Sequence, residues 1–182
     1  MLTGLWLVSL AIGFGLVIDY DARPGRAADG TPRWPTDSQL QLAPSGKTLV
    51  MFLHPHCACS SASLEELDHL VHEQPGPAKL YIVVAHLPID DPDQATPTMT
   101  RAAAIPGSEL VGDQAGLESQ RFGSHTSGTL LVFNADGQRV YSGGLTQGRG
   151  HVGPNKALDA AAAAVRDRPT ADAMPVFGCP LF

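Results

Sequence analysis

Residues 50–71, VMFLHPHCACSSASLEELDHLV, place two cysteines between an apolar run and an amphipathic segment. The run at 47–53 is short and continuously apolar, which predicts a buried strand. After the cysteines, Ser63 and Glu66 fit a capping box and predict a helix that ends at His72, with leucines along one face. The stretch therefore predicts a strand, a turn that carries both cysteines, and a helix.

The remaining elements extend this unit into an α/β domain. A second apolar run, Lys79–Ala85, follows the helix and predicts a strand parallel to the first. Further along we predict a loop at 86–97, short helices at 98–104 and 115–122, strands at 109–112, 129–133 and 138–142, and a last helix at 155–165. This order predicts a central mixed sheet with helices on both faces.

The N-terminal residues 2–18, LTGLWLVSLAIGFGLVI, contain no charged side chain. A helix of this length spans about 25 Å, at the short end for crossing a bilayer. A signal peptide is the alternative, but no basic residue precedes the run and no small-residue cleavage site lies close behind it. We predict a transmembrane anchor (or signal peptide) at 1–18, a linker at 19–45, the domain at 46–166, and a tail at 167–182 that docks on it.

Composition narrows the function classes. The chain has 12 Lys and Arg against 18 Asp and Glu, a net charge of -6, and no basic run. Nucleic-acid binding requires clustered basic side chains, so we expect no nucleic-acid partner. Three cysteines are too few for a disulfide-rich scaffold, and their odd number is typical of a free thiol, an exchange partner or a metal ligand.

The motif HPHCAC at 54–59 is the strongest chemical signal. A helix N-terminus favours thiolate over thiol, and His54 and His56 assist when protonated, so Cys57 is predicted to be a partly exposed nucleophile with a depressed pKa. Exchange also needs a resolving thiol, which Cys59 supplies. Residues two apart on a helix point to opposite sides, so a Cys57–Cys59 disulfide needs a non-helical turn and would be strained. The alternative is a pair of inert structural thiols.

The third cysteine, Cys179, lies in the apolar tail MPVFGCPLF. Apolar residues of this number are expected to dock on the domain. Docking near Cys57 makes Cys179 a second resolving thiol or a metal ligand, whereas docking elsewhere makes it a packing residue. Because soft thiolates select Cu(I) or Zn, Cys57 and Cys59 with His151 or Cys179 form an alternative metal site.

Several segments resemble a known family. The stretch at 50–71 resembles the strand–active-site–helix unit of thioredoxins, FGSHTSGTLLVF at 122–133 resembles their later strand, and ADGQRVYSGG at 135–144 resembles their hairpin. ELVGDQAGLESQRFG at 109–123 is similar to the insertion of membrane-anchored TlpA and peroxiredoxin-like proteins. More narrowly, HPHCAC, AAAIPG, RFG with TSG, GGLT with RGH, and PVFGCPLF, in this order over most of 49–182, resemble bacterial RedB-like proteins.

This resemblance implies a thioredoxin-like fold and a redox activity on protein thiols or disulfides. The family's cis-proline falls at Gly128, so Thr126, Ser127 and Gly128, with His56, are the expected substrate-binding residues. In the family that proline also keeps metals off the cysteines, so its absence opens the copper or zinc alternative. The resemblance places the soluble domain on the extracytoplasmic side of a bacterial inner membrane.

We therefore predict a membrane-tethered thiol–disulfide oxidoreductase without a cofactor, with Cys57, Cys59 and Cys179 as catalytic residues. A copper- or zinc-delivery protein and a redox-inert scaffold are the alternatives.

Overall fold

The computed structural model describes residues 2–30, 32–73, 78–85, 96–171 and 173–182, so most of the predicted loop at 86–97 lies outside the described residues. The described elements, in chain order, are α1 Leu2–Ala22, β1 Thr48–Leu53, α2 Ser60–Glu73, β2 Lys79–Ala85, α3 Pro97–Ala104, β3 Ser108–Asp113, α4 Leu117–Arg121, β4 Thr129–Phe133, β5 Arg139–Gly143 and α5 Lys156–Val165.

The strands form one mixed sheet in the order β3-β2-β1-β4-β5. β1 pairs in parallel with β2, and β2 in parallel with β3. β4 runs antiparallel to β1, and β5 returns antiparallel to β4 as the predicted hairpin. β1 is central and buried along its whole length, as its unbroken apolar sequence predicts. This confirms the predicted α/β fold and places the end of β1 in the middle of the sheet.

Each face of the sheet has its own apolar core. On one face, side chains such as Met51 and Ile82 pack against the buried faces of α2, α3 and α5. On the other face, Phe52 and Val83 pack with Phe122, which caps the end of α4. Helices therefore lie on both faces, and among the described elements the second face carries the short α4.

The segment between α1 and β1 packs on the second face through residues such as Trp34 and Leu40. Trp34 makes edge contacts with Phe122 and Phe133, both with ring centroids 5.1 Å apart. The backbone of Gly30 packs so closely on Gly123 that a Cβ atom on Gly123 would lie 2.1 Å from the Gly30 nitrogen. The proline and glycine content of this segment and its lack of a regular apolar pattern predicted a linker. Single, widely spaced apolar residues such as Trp34 give no periodic signal.

The start of α2 differs from the prediction. The helix begins at Ser60, three residues before the proposed cap, because the Cys57 and Cys59 carbonyls accept the Ser60 and Ser63 N–H groups at 3.0 and 3.5 Å. The capping box was therefore wrong. The buried Glu66 carboxylate instead accepts the N–H of Gly153, which fixes the glycine-rich loop before α5.

α1 is longer than predicted. Its residues Thr3–Ala22 have a mean hydropathy of 1.6, and none of them is buried. A helix of this length and composition is able to cross a membrane, and a signal sequence has the same properties.

Candidate functional site

The site begins in the turn that joins β1 to α2. The Cys57 N–H donates to the His54 carbonyl at 3.1 Å, and the Cys57 carbonyl accepts from Ser60 at 3.0 Å. Both Cys57 and Cys59 thus lie in a non-helical turn before α2, as predicted. Cys57, however, is only 2% exposed, so the expected partial exposure was wrong. Its cover comes from the far end of the chain, which local sequence patterns do not reveal.

That cover is the tail. Its backbone pairs with the loop before β4: Ser127 donates its N–H to the Cys179 carbonyl at 2.8 Å, and Leu181 donates to the His125 carbonyl at 2.9 Å. Thr126 and Pro180 form an antiparallel bridge between these two bonds. The tail therefore runs as a short extra strand beside 125–127.

This pairing brings two thiols together. The Sγ atoms of Cys57 and Cys179 are 3.0 Å apart, and both thiols are free. The backbone approach depends on Gly178, since a Cβ atom there would lie 1.9 Å from the Ser127 carbonyl oxygen. Arg149 also holds this stretch by donating from its guanidinium to the Gly178 carbonyl. The tail thus presents Cys179 to Cys57 through its backbone contacts with Ser127 and Arg149.

Hydrogen bonding sets the charge on Cys57. Burial raises the pKa of this thiol, but the side chain and backbone N–H of Cys179, together with Ser60, donate hydrogen bonds that stabilise the thiolate, and the net pKa is lowered. The direction agrees with the sequence prediction. The main donors, however, are Cys179 and Ser60, followed by the Cys59 backbone, whereas the sequence predicts the helix N-terminus and the flanking histidines.

The other two thiols are held in the protonated form. Burial, and then the hydrogen bond and negative charge of Cys57, raise the pKa of Cys179 to about 12. Burial and the charge of Cys57 also raise the pKa of Cys59, against an opposing hydrogen bond from Arg149. The reduced site therefore favours ionisation of Cys57 over that of the other two thiols and places a thiol donor beside it.

Arg149 is the functional residue that sequence patterns identified least clearly. It lies in the glycine-rich loop 143–153, where no local motif singles out this side chain. Besides its contacts to Gly178 and Cys59, it donates to the carbonyl of Tyr20 at 3.3 Å and stacks over the Tyr20 ring. One guanidinium thus connects α1, the tail and the cysteine turn.

Two of the residues predicted to bind substrate, Ser127 and Gly128, contact the cysteine turn and the strand before it. The Ser127 hydroxyl accepts from the His54 N–H at 2.8 Å and is 2.8 Å from the Ser60 hydroxyl. Gly128 donates its N–H to the Phe52 carbonyl at 2.8 Å and has a φ of +91°, which a residue with a side chain rarely adopts. Thr126 donates its hydroxyl to the Arg26 carbonyl at 2.8 Å. In this structure the tail occupies their outer edge.

Two of the predicted side chains, His56 and His151, lie at the surface. His56 is exposed, with its ring facing that of His54 at 6.0 Å. His151 is exposed and points into its own loop, where its Nδ1 lies 3.0 Å from the Arg149 carbonyl, and it lines a cavity of about 360 Å³ with Ile18. Within the described residues, no three His, Cys, Asp or Glu side chains are grouped to hold a metal ion, so the set Cys57, Cys59 and His151 is not assembled.

The lowered pKa of Cys57 gives a testable titration. In the reduced full chain carrying Cys59→Ala, thiolate absorbance should rise at a pH below the ~8.5 of a free thiol. Reactivity is then retained at lower pH than for a free thiol and is lost as the pH falls through the lowered pKa. Adding Cys179→Ala removes a hydrogen-bond donor and should move the midpoint upward. A midpoint at or above that of a free thiol, unchanged by Cys179→Ala, would contradict this electrostatic account.

Comparison with known proteins supports the fold. No protein-family model and no curated protein matches the sequence. A solved structure of an uncharacterized conserved protein from Geobacillus kaustophilus matches with a TM-score of 0.60 and 17% identity, covering 88% of this chain and 92% of that one. A hypothetical protein from Sinorhizobium meliloti matches with a TM-score of 0.58 and 15% identity, covering 87% and 93%.

A weaker match is a secreted disulfide oxidoreductase from Mycobacterium tuberculosis, with a TM-score of 0.48 and 12% identity, covering 67% of this chain and 81% of that one. At these identities the matches bear on the fold alone. The chain's own geometry carries the fold: the central β1 pairs in parallel with β2 and antiparallel with β4, and the cysteine turn follows β1. The chain therefore has a thioredoxin-like fold.

Proposed function

We propose that this protein is a membrane-tethered thiol–disulfide oxidoreductase whose exchanging pair is Cys57 and Cys179. The observation that carries the proposal is the 3.0 Å separation of their sulfurs, on segments 122 residues apart in the chain. Packing alone does not require two thiols to meet at a strand end with opposite pKa shifts. A nucleophilic thiolate beside a protonated resolving thiol is the arrangement that disulfide exchange needs.

The chemistry proceeds in two exchange steps. The Cys57 thiolate attacks one sulfur of a partner disulfide, forms a mixed disulfide, and releases the partner's other sulfur as a thiolate. The Cys179 thiol then attacks the Cys57 sulfur and gives its proton to the departing partner thiol. The partner disulfide gains two electrons and the chain becomes the Cys57–Cys179 disulfide. A thiol reductant restores the reduced chain by the reverse exchange.

Charge changes assist the second step. While Cys57 is a thiolate, its hydrogen bond and charge keep the pKa of Cys179 high. Once Cys57 is in a mixed disulfide, that charge is gone and Cys179 loses protons more readily. Cys59 has a raised pKa and lies one residue from Cys57 beyond Ala58, so we assign it a secondary role as an alternative resolving thiol.

Metal delivery is the competing function. Two adjacent sulfurs are suitable soft ligands for Cu(I) even without a third group. We favour thiol exchange over metal delivery because the raised pKa values of Cys179 and Cys59 keep these thiols protonated, whereas metal binding needs thiolates. We also propose that the protein is of the RedB-like or TlpA type that its sequence resembles.

We further propose that α1 remains as a single-pass anchor in a bacterial inner membrane, with the domain on the extracytoplasmic side. Tyr20 and the pair formed by Asp19 and Arg23 follow the apolar stretch, where aromatic and charged residues meet the headgroups. Disulfides persist in oxidising compartments, so exchange of structural disulfides suits that side. Partners are then protein thiols or disulfides, and His56 with Thr126, Ser127 and Gly128 lies on the proposed substrate side.

The deciding experiment runs two assays on the full chain in detergent micelles. In one, the reduced chain receives a peptide disulfide and a thiol reductant, and turnover is measured. In the other, it receives Cu(I) under reducing conditions and retained metal is counted after desalting. Turnover that is lost in Cys57→Ser, with no retained copper, supports the oxidoreductase. Stoichiometric copper lost in the same variant, with no turnover in the parent, would replace it with metal delivery.

A further inference from the structure

We propose that the tail holds the place of a partner polypeptide: an extended, cysteine-bearing segment of the partner displaces it and pairs with the same backbone edge, 125–127. This inference rests on the proposed function and adds the recognition chemistry of the partner. The tail and the partner then alternate on one edge during each exchange.

Access to Cys57 requires this movement. Cys57 is 2% exposed, and the tail residue whose sulfur lies against it is Cys179. Attack on an external disulfide places the incoming sulfur against Cys57, in the space that Cys179 now occupies. The tail therefore has to leave before a partner sulfur reaches the nucleophile.

When the tail leaves, two backbone groups of the edge lose their hydrogen-bond partners. The N–H of Ser127 and the carbonyl of His125 lose the bonds they make to Cys179 and Leu181. Unpaired backbone groups at a strand edge are costly in a buried site and pair readily with another extended chain. An incoming partner segment satisfies both groups by adding as a strand, a common mode of peptide recognition.

The tail itself shows what such a segment needs. Its residue before the cysteine is glycine, and a Cβ atom there would lie 1.9 Å from the Ser127 carbonyl oxygen. Two apolar side chains of the tail, Val176 before the cysteine and Leu181 after it, are each 1% exposed. The edge therefore selects an extended segment of the pattern apolar–any–Gly–Cys–any–apolar.

The connection to the tail allows it to move as a unit. Residues 166–171, which join it to α5, are exposed, and Pro180 and Phe182 are exposed as well. Backbone hydrogen bonds, the Arg149 contact to Gly178 and the buried side chains of Val176 and Leu181 hold the tail in place. A partner segment that supplies the same backbone groups and the same two apolar side chains offsets the cost of displacing it.

Strand exchange and disulfide exchange are then coupled. With the partner segment on the edge, the Cys57 thiolate attacks the partner disulfide and the partner's second sulfur leaves as a thiolate. The returning tail displaces the partner segment and delivers Cys179, whose thiol attacks the Cys57 sulfur and protonates the departing partner thiol. Release of the product thus depends on re-docking of the tail.

The test uses a probe without a thiol, so it does not depend on redox turnover. The probe is a fluorescent peptide of residues 174–182 carrying Cys179→Ser. The protein is the full chain in detergent micelles with residues 168–171 replaced by a specific protease site, folded intact and then cut. The chain folds with its tail attached and is cut only afterwards, which avoids the risk that a truncated chain fails to fold.

We expect the probe to bind the cut chain at least ~100-fold more tightly than the uncut chain, because the tethered tail competes at a high effective concentration. The same probe carrying Gly178→Ala should bind at least ~10-fold more weakly, because its Cβ meets the Ser127 carbonyl. Equal affinity for cut and uncut chains, or equal affinity of the two probes, would overturn the inference.

Failure of binding to a cut chain that remains folded by circular dichroism would overturn it too, because partners would then react at Cys179 with the tail in place. The two claims also separate cleanly. Probe binding without disulfide turnover would refute the proposed function alone, whereas turnover without probe binding at the edge would refute this inference alone.

Discussion

Cys57→Ser should reduce exchange with a peptide disulfide by at least ~1,000-fold, because it removes the only thiol whose pKa the site lowers. Cys59→Ser should stay within ~10-fold of the parent, because Cys179 lies against Cys57 without it. The measurement is the rate of thiol release from the peptide by the full chain in micelles.

Cys179→Ser provides the matched contrast for this pair of variants. It keeps the nucleophile but removes the nearest resolving thiol, so the mixed disulfide between Cys57 and the peptide should accumulate and be visible by intact mass. Full activity in Cys57→Ser, or a loss of activity in Cys59→Ser as large as in Cys57→Ser, would contradict the roles proposed for the three cysteines.

Gly178→Ala should lower the equilibrium constant for the Cys57–Cys179 disulfide against glutathione by at least ~100-fold. A Cβ atom at 178 would lie 1.9 Å from the Ser127 carbonyl oxygen, so the strand pairing that presents Cys179 cannot form as it stands. The cause is loss of positioning, since both thiols remain in the chain. The reduced and oxidised fractions are measured at a series of glutathione ratios.

Pro180→Ala is the control for this variant. Pro180 is exposed on the other side of Cys179 and has no N–H to contribute, so its replacement should change the constant by less than ~3-fold. If Gly178→Ala behaved like Pro180→Ala, the tail would tolerate a side chain at the contact, and its role as the presenter of Cys179 would be wrong.

The sheet was predictable because its central strands carry their own signal. Unbroken apolar runs at Lys79–Ala85 and Thr129–Phe133 match the structure in both bounds. A strand that is buried on both faces needs an almost continuous apolar sequence, so it is easily recognised. The helix between the first two strands sets their parallel pairing. The cysteine turn followed from the same reasoning, since it lies between β1 and α2.

The parts that sequence missed depend on distant contacts. Burial of Cys57 comes from Cys179, and no local pattern around the cysteines reports a cover from so far along the chain. The apolar tail predicted docking, but the edge it selects follows from the Ser127 and Cys179 backbone pairing. His151 was considered as a ligand because histidine commonly binds metals, yet its loop turns it away from the sulfurs.

The covering of the second face was missed for a related reason. The segment between α1 and β1 has no regular element, so neither a period of two nor one of 3.6 is present. Its attachment depends on Trp34 in an aromatic cluster and on the close glycine contact at Gly30 and Gly123. Such contacts are readable only once the partner surface is known.

Disulfide mapping of the oxidised full chain tests the central claim most directly. The chain is equilibrated in micelles with oxidised glutathione, its remaining thiols are blocked at low pH, and the digested protein is analysed by mass spectrometry. The account predicts a dominant Cys57–Cys179 cross-link with Cys59 blocked as a free thiol. A dominant Cys57–Cys59 cross-link, with Cys179 recovered as a free thiol, would contradict it.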